Sequence, residues 1–369
     1  MELLPIYITA DTIERLQVPL KIGDFQSMES ARDVFEMIEF LKHGSYIHLD
    51  KHNQDLNLGD LFETNPLLAH LISGGNGRRR IEFRPKEHQS IVLKGLSAVK
   101  THQSAQYFTM DLKEEDSKRM EGSTGMLHHT LKSSHRTLGR IFRTHVEFFR
   151  KDRIASIDII FEKLLPHHSI VIIDPYLLRW DNSHLVRFLT RAKPGGIGTY
   201  HVTLVFSTKT SMDNDKNPSR WITRRLQLLK NDLRTKIGNS KIELEFLVVK
   251  NDEFHDRMIL TNNQVVFQGY GMETMNRDGK GRKLTTWIFI SHTKMDTRLN
   301  GEISCHFKNI SDITDAIHEW KMTAEPYSSP QLRNPILKRG QEELRTTGLQ
   351  ARGTSLDELY KKINEKGSA

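Results

Sequence analysis

The chain has 369 residues, a formal net charge of +8 at pH 7 and 37% hydrophobic residues. This length predicts two domains, and the apolar content suffices for packed cores, which excludes a wholly disordered chain. No run of residues is long and apolar enough for a membrane span, which excludes a transmembrane protein. Cys305 is the only cysteine, so an intramolecular disulfide and a cysteine-ligated zinc site are excluded and a cytoplasmic location is favoured.

Residues 1–130 predict a small mixed α/β domain whose topology and role the sequence leaves open. Within it, Val34, Met37, Ile38 and Leu41 follow the i, i+3, i+4, i+7 pattern of an amphipathic helix over about 31–43. Alternating apolar residues and turn signals predict the remaining elements. These are strands over 46–49, 81–83 and 107–112, a short helix over 65–71, and a charged helix after residue 112.

The densest basic stretch lies between residues 128 and 153, which contain seven Lys or Arg residues and two Asp or Glu residues. Apolar residues such as Leu138, Ile141 and Phe149 recur there at roughly helical spacing. This pattern predicts an amphipathic helix over 131–153 with one apolar and one cationic face. We expect that helix to link the two domains.

Residues 154–321 alternate apolar strands with longer helices, which is typical of a parallel or mixed sheet covered by helices. The predicted fold class is therefore α/β, with this mixed sheet preceded by the smaller domain. The predicted strands cover 169–174, 201–207, 241–249, 258–260, 265–268, 287–291 and 303–307, and the predicted helices cover 183–191, 218–237 and a segment from 311. Beyond 322 the apolar pattern fades, which predicts a mobile charged tail over 322–369.

The segment from Phe254 to Asn262 carries the clearest chemical signal. His255 and Arg257 are two residues apart, so both side chains point to the same side of an extended chain. A guanidinium presents a fork of donors that matches phosphate oxygens, and an adjacent imidazole can act as nucleophile or general acid near neutral pH. The pair therefore predicts phosphodiester chemistry or phosphate binding.

This segment resembles the signature of the phospholipase D superfamily, which is H-x-K, four residues, D, and then six residues to a glycine. His255 takes the His place, Arg257 the Lys place, Asn262 the Asp place and Gly269 the Gly place. The resemblance covers residues 154–320 and implies a phospholipase D-like sheet. It also implies a phosphodiesterase that needs no metal and no cofactor. In that mechanism one motif His attacks phosphorus to form a phosphohistidine and a second protonates the leaving group.

The chain departs from the family pattern in ways that bear on activity. Only one motif is visible, so the resemblance implies a homodimer that brings together His255 from two chains. Arg257 and Asn262 replace Lys and Asp, and Tyr270 and Glu273 stand where the family often has Ser and Asn. The segment is also similar to the non-catalytic phospholipase D-like domain at the C-terminus of MIT domain proteins. That domain is associated with binding phospholipid membranes.

Two further groups of basic residues suit a phosphate backbone, because clustered guanidinium groups attract a polyanion. They are Arg78, Arg79, Arg80 and Arg84 around the glycine-rich turn at 74–77, and Arg140 and Arg143 in the predicted linking helix. Each group has an alternative interpretation as a solvated cationic surface. The histidine pairs at 128–129 and 167–168 have no third ligand at metal spacing, so no metal site is predicted.

These observations favour a cytoplasmic phospholipase D-like protein that acts on or binds nucleic acid as a homodimer, and an antiviral defence nuclease is one function that fits. In this hypothesis His255 is the nucleophile or acid, Arg257 holds the phosphate, and Asn262 and Glu273 orient the histidine or the substrate. The alternative is a catalytically inactive module that uses the same cleft to bind nucleic acid, a peripheral anionic membrane or a partner protein.

Overall fold

A computed structural model gives the fold of this chain, and two large sheets organise it. The structure describes residues 4–9, 12–13, 28–43, 45–50, 63, 65–67, 71, 81–84, 106–109, 113–130, 141–142, 144–150, 158–177, 182–193, 195, 199–207, 218–237, 241–249, 256–269, 271, 284–292, 295–296, 304–305 and 307–337.

The first sheet has five strands, all parallel, in the spatial order β3-β2-β1-β4-β5. The strand order reverses at β1, which makes this part of the chain a doubly wound α/β unit, a topology that the sequence had left open. Its elements are β1 (Leu4–Thr9), α1 (Met28–His43), β2 (Ser45–Asp50), β3 (Ile81–Arg84), β4 (Gln106–Thr109), α2 (Glu114–Thr124) and β5 (Leu127–Thr130).

The second sheet has seven strands in the order β6-β12-β11-β10-β7-β8-β9, of which β7, β8 and β9 are mutually parallel. Its strands are β6 (His145–Phe149), β7 (Ser169–Ile173), β8 (Thr199–Ser207), β9 (Lys241–Val249), β10 (Met258–Thr261), β11 (Gln264–Gln268) and β12 (Thr285–Ser291). The other elements are α3 (Asp158–Lys163), α4 (Asn182–Ala192), α5 (Pro218–Ile237), α6 (Phe307–Met322), a 3-10 helix (Pro335–Leu337) and the short pair β13 (Met295–Asp296) and β14 (Ser304–Cys305). The predicted fold class, a mixed sheet flanked by helices and preceded by a smaller α/β part, is confirmed.

Apolar side chains cover both faces of the parallel part of this sheet, and all five residues of β7 are buried. On one face, Ile172 and its neighbours pack against Leu189 of α4 and Leu229 of α5. On the other face, Ile173 belongs to a cluster that includes Ile317 of α6 and residues of the five-stranded sheet. Burial on both faces explains why β7 and β8 are nearly continuous apolar runs in the sequence.

The predicted linking helix over 131–153 is wrong in its C-terminal part, because residues 145–149 form strand β6. Val146 and Phe149 are three residues apart, which imitates helical spacing, but the side chains of β6 alternate between half-buried and exposed before the buried Phe149. The run is too short for its periodicity to distinguish a helix from a strand. Its pairing with β12 makes it a strand. Both Arg140 and Arg143 lie outside the described residues.

The tail predicted from residue 322 onward is wrong up to residue 337, because this segment packs along the edge strand β9. The Ser329 N–H donates to Phe246 O at 2.8 Å, and the Phe246 N–H donates to Ser329 Oγ at 2.9 Å. The Glu325 N–H donates to Val248 O at 2.8 Å. Residues 325–329, which we call the edge segment, therefore satisfy outer backbone groups of β9 without any periodicity that the sequence could reveal.

Candidate phosphate-binding site

The carboxyl ends of β7 and β8 lie at one edge of the seven-stranded sheet, which we call the carboxyl edge. Strand β10 runs antiparallel to β7, with Met258 opposite Ile173. The residue after β7, Asp174, and the residue before β10, Arg257, therefore meet at this edge. This is the position at which open α/β sheets commonly bind ligands.

Three groups fix the Arg257 side chain. Its Nε lies 3.4 Å from Asp174 Oδ1, its Nη1 donates to Gly269 O at 3.0 Å, and its Cζ lies 4.9 Å from the centroid of the Tyr176 ring. The Asp174 side chain is nearly fully buried, and that of Arg257 is mostly buried. The guanidinium is consequently oriented before any ligand arrives, which limits the entropy that binding must cost.

Asp174 also orders the turn that follows β7. Its Oδ1 accepts the Tyr176 N–H at 2.9 Å, and its backbone N–H donates to Val205 O at 3.0 Å. A side chain that accepts the N–H two residues later forms an Asx-type turn. One carboxylate thereby positions both the guanidinium and the aromatic ring beneath it.

Two glycines allow the backbone to approach this ion pair. Gly271 has a φ of +68°, and a Cβ there would lie 2.3 Å from Asp174 Oδ2 and 2.7 Å from Arg257 Cδ. A Cβ on Gly269 would lie 2.7 Å from Thr285 Oγ1. The glycine place of the signature thus has a physical reason here, since a side chain at residue 269 would collide with Thr285, whereas sequence reasoning missed Gly271.

Two buried polar side chains on the face of the sheet that carries Arg257 have no hydrogen-bond partner among the described residues. The Gln268 N–H donates to Arg257 O at 2.9 Å, so the two residues oppose each other across β10 and β11 and share a face of the sheet. In the described part of the chain, neither end of the Gln268 amide nor Thr285 Oγ1 makes a hydrogen bond. These residues are 4% and 6% exposed. Buried polar groups are normally paired, so the carboxyl edge has unused donors and acceptors.

Sequence reasoning also missed Gln268 and Thr285 as site residues. The available signal was a glutamine at the end of the apolar run Val265-Val266-Phe267, at the place directly before the signature glycine. An amide at a strand position that should be buried is costly unless it has a partner.

The structure does not bring Asn262 to Arg257. Asn262 follows the other end of β10, five residues away, which corresponds to about 16 Å along a strand. It is 1% exposed, its Nδ2 donates to Gly125 O at 2.9 Å, and its Oδ1 accepts the His168 N–H at 3.0 Å. This placement gives no support to the predicted role of Asn262 in orienting His255.

Asn262 belongs instead to a junction between the two sheets, which we call the Gly125 junction. Gly125 ends α2 with a φ of +66°, and a Cβ there would lie 2.3 Å from His168 N. Asn263 Nδ2 donates to Pro166 O at 2.7 Å and contacts Gly125 O at 3.4 Å. The turn before β5 is therefore bonded to the turn between β10 and β11, which is bonded in its turn to Pro166 and His168 just before β7.

Two of the paired histidines are buried beside this junction. His167 Nδ1 lies 2.9 Å from Leu165 O and its Nε2 lies 3.0 Å from the Tyr200 hydroxyl. Burial lowers the pKa of His167 to about 4, against the opposing effect of the Leu165 carbonyl, and burial also lowers the pKa of His128 to about 4. His128 stacks on Tyr107 with ring centroids 4.7 Å apart. Both rings are neutral near pH 7 and serve packing.

A cavity of about 310 Å³ lies between α2, α3 and α4. Its lining balances Lys118 and Arg191 against Glu121 and Glu162, and Arg191 forms an ion pair with Asp158. This balance of charge gives the cavity no preference for an anion, so the carboxyl edge is the better candidate for phosphate.

The remaining predicted site residues are not placed by the structure. Those outside the described residues are His255, Glu273, Arg78, Arg79 and Arg80, while Arg84 ends β3 and its side chain is not described. Among the described residues, no group of three or more His, Cys, Asp or Glu side chains could hold a metal ion. No helix in the described ranges has both the length and the apolar character needed to cross a bilayer.

No protein-family model and no curated protein matches this chain. Among solved structures, the archaeal chromatin protein TrmBL2, described as showing a novel mode of DNA binding, is 13% identical with a TM-score of 0.25, over 49% of this chain and 53% of that chain. Phosphatidylserine synthase from Haemophilus influenzae is 10% identical with a TM-score of 0.31, over 55% of this chain and 45% of that chain. This chain spans about half the length of each.

Proposed function

We propose that this chain is a phospholipase D-like protein that binds phosphodiesters of nucleic acid at the carboxyl edge. The observation that supports this proposal is the fixed Arg257 guanidinium with the Gln268 amide opposite it and the Thr285 hydroxyl on the same face of the sheet, neither of which has a hydrogen-bond partner among the described residues. A guanidinium and an amide N–H both donate to phosphate oxygens. Burying an unsatisfied amide costs about 1–3 kcal/mol, and a bound phosphodiester would remove the part of that cost that belongs to the Nε2 donor.

In the catalytic form of this proposal, His255 supplies the chemistry. Its imidazole attacks phosphorus, the bond from phosphorus to the leaving oxygen breaks, and that oxygen takes a proton from His255 of a second copy. Water then hydrolyses the phosphohistidine and returns the proton. Arg257 neutralises charge on the phosphate oxygens in both steps. Because the chain has one motif, this form requires a homodimer.

A second candidate is binding without turnover. The ion pair between Arg257 and Asp174 favours it, because the carboxylate already compensates part of the cation's charge. The distant position of Asn262 favours it too, since the second half of the signature stabilises the Gly125 junction.

The test uses the full chain, short labelled single-stranded DNA and RNA, and buffers with either chelator or Mg²⁺. Catalysis predicts cutting in chelator that His255→Ala abolishes while binding persists. Arg257→Ala should weaken binding, whereas Arg257→Lys, which keeps the charge, should retain most of it. Arg119→Ala is the matched control, since Arg119 is an exposed arginine on α2. Thermal melts establish that each variant is folded.

Each outcome of this test decides between the candidates. Binding that depends on Arg257, with no cutting by the wild-type protein, would leave the second candidate. Unchanged binding in a folded Arg257→Ala protein would refute both.

A second experiment tests whether two chains share one active site. Wild-type and His255→Ala chains are co-refolded in varied proportions. A shared site predicts that activity falls with the square of the wild-type fraction, and a linear fall would refute it.

A further inference from the structure

Helix α5 presents a cationic surface that the phosphate site does not use. Its 20 residues include six basic side chains and one acidic side chain. The apolar face is buried against the seven-stranded sheet through Ile222, Leu229 and Leu233. The opposite face of the helix is exposed to solvent.

The exposed face carries one continuous polar line, which we call the α5 stripe. Its members are Arg220, Arg224, Gln227, Asn231 and Arg234, and all five are exposed. They follow i, i+4, i+7, i+11, i+14 spacing, which places them on one side of the helix. Gln227 Nε2 donates to Asn231 Oδ1 at 3.1 Å. The one acidic residue of α5, Asp232, lies about 100° around the helix from Asn231 and so off the stripe.

Two of the three other cations of α5 lie over aromatic rings, and the third, Lys236, is exposed near the C-terminal end of the helix. Arg225 lies over the Trp221 ring with its Cζ 5.8 Å from the centroid, and Lys230 lies over the Phe246 ring with its Nζ 5.4 Å from the centroid. These contacts hold the stems of both side chains on the flanks of the helix. The stripe is thus a distinct line of charge and amide groups.

The topology places one end of the stripe at the carboxyl edge. Strand β8 ends at that edge, α5 returns across the sheet, and β9 begins at the opposite edge, parallel to β8. The N-terminal end of α5, which carries Arg220, therefore lies nearest the edge that holds Arg257. From there the stripe runs 14 residues, or about 21 Å, away from it.

We propose that the α5 stripe binds the sugar-phosphate backbone of a nucleic acid strand that extends from the carboxyl edge. This inference rests on the proposed function and names its substrate as a polymer of several phosphates rather than a single phosphodiester. A length of about 21 Å is enough to contact several consecutive phosphates of one strand. Arginine donors bind phosphates, and amide side chains bind phosphates and sugars without sequence preference.

An anionic membrane is the less suitable partner for this surface. Helices that lie in a membrane interface bury an apolar face among the lipids. The apolar face of α5 already packs on the sheet, so the helix has only its polar side to offer. A polyanion in water needs nothing more than that side.

The experiment reverses the three stripe arginines in the full chain, as R220E/R224E/R234E. The control, R32E/K118E/R119E, reverses three exposed basic residues on α1 and α2 and changes the net charge by the same amount. Binding is measured by anisotropy with labelled 30-nucleotide single-stranded DNA and RNA across a salt series, and with a labelled dinucleotide. Vesicles containing phosphatidylserine are tested by co-sedimentation.

The stripe variant should bind the 30-mers at least about tenfold more weakly at 100 mM salt. The slope of its log K against log salt should be smaller in magnitude by about 2, which is the value for three lost contacts to a single strand. Its dinucleotide affinity should equal that of the wild type, and the control variant should change little. Equal losses in both variants, or no wild-type binding of 30-mers, would overturn the proposal. So would a stripe variant that loses vesicle binding alone. A different result would separate the two proposals. If 30-mer binding depends on the stripe but dinucleotide binding does not depend on Arg257, the proposed function is refuted and nucleic acid binding by the stripe is still supported.

Discussion

Asn262→Asp restores the carboxylate of the family signature, and we expect it to destabilise the protein. In the Gly125 junction the Asn262 amide both donates to Gly125 O and accepts from the His168 N–H. A carboxylate has the same shape and keeps the second bond, but it has no proton to donate to Gly125. Two oxygens would then face each other at about the distance of the present hydrogen bond, 2.9 Å.

The size of the effect follows from the burial of this side chain. The new carboxyl is buried with a single N–H donor, from His168, so burial raises its pKa and it takes up a proton on folding. Each unit by which that pKa rises above its unfolded value of about 3.9 costs about 1.4 kcal/mol at pH 7, and this cost reaches its limit of about 4 kcal/mol when the pKa reaches 7. A carboxyl that instead stays ionised buries a charge, loses the hydrogen bond to Gly125 and leaves that carbonyl unsatisfied, which by itself costs about 1–3 kcal/mol. We expect a total loss of about 4 kcal/mol, a large part of the stability of an ordinary domain.

Urea unfolding followed by tryptophan fluorescence measures this loss, with the exposed Asn231→Asp as the control that should change stability by less than about 0.5 kcal/mol. The deficit of Asn262→Asp relative to wild type should shrink as the pH falls from 7 to 5, because taking up a proton on folding costs less when the pH is closer to the unfolded pKa of the carboxyl. Wild-type stability in Asn262→Asp would contradict the described junction. Faster phosphodiester cleavage by this variant would show that residue 262 acts at the carboxyl edge after all.

Three further predictions concern other described residues. Gly125→Ala should lower the melting temperature by at least about 4 °C, since a Cβ would meet His168 N at 2.3 Å; an unchanged melt would refute this contact. His128 and His167 have pKa values lowered to about 4, so the unfolded chain binds more protons and stability should fall as pH drops from 6.5 towards 4. The loss is up to about 3 kcal/mol for each residue. Urea midpoints against pH measure it, and a double His→Gln variant should flatten the profile. Gln268→Leu should leave stability equal or raised by about 1 kcal/mol, because its amide has no described partner, yet weaken dinucleotide binding; unchanged binding would remove Gln268 from the site.

The sequence predicts those elements whose periodicity is long and unambiguous. The bounds of α5 and β9 match the predicted 218–237 and 241–249 to the residue, because an amphipathic helix and a buried strand of this length leave no alternative pattern. The short apolar run in β6 fits both helical and strand spacing, so only its pairing with β12 decides it. The edge segment has no periodicity at all, since its order comes from hydrogen bonds to β9.

The candidate site was predictable only in part for a related reason. The sequence identifies Arg257 and Gly269 by chemistry and spacing, and the structure joins them through one hydrogen bond. The sequence does not reveal that Asp174 contacts Arg257, because this contact arises from the pairing of β7 with β10 in the sheet. The predicted role of Asn262 in orienting the histidine or the substrate stays a prediction, and the five residue steps from Arg257 to Asn262 correspond to about 16 Å along a strand.

The edge segment has a consequence for how this protein should be shortened. A chain ending near residue 322 would still contain every strand that the structure describes and the described residues of the carboxyl edge, but the outer N–H and C=O groups of Phe246 and Val248 would lose their partners. An uncovered edge strand recruits another strand, and the most available one is β9 of a second shortened chain. Dimers or aggregates of such a shortened protein would result from the missing edge segment and would say nothing about the natural assembly. Oligomeric state is therefore meaningful only in proteins that retain residues 323–337.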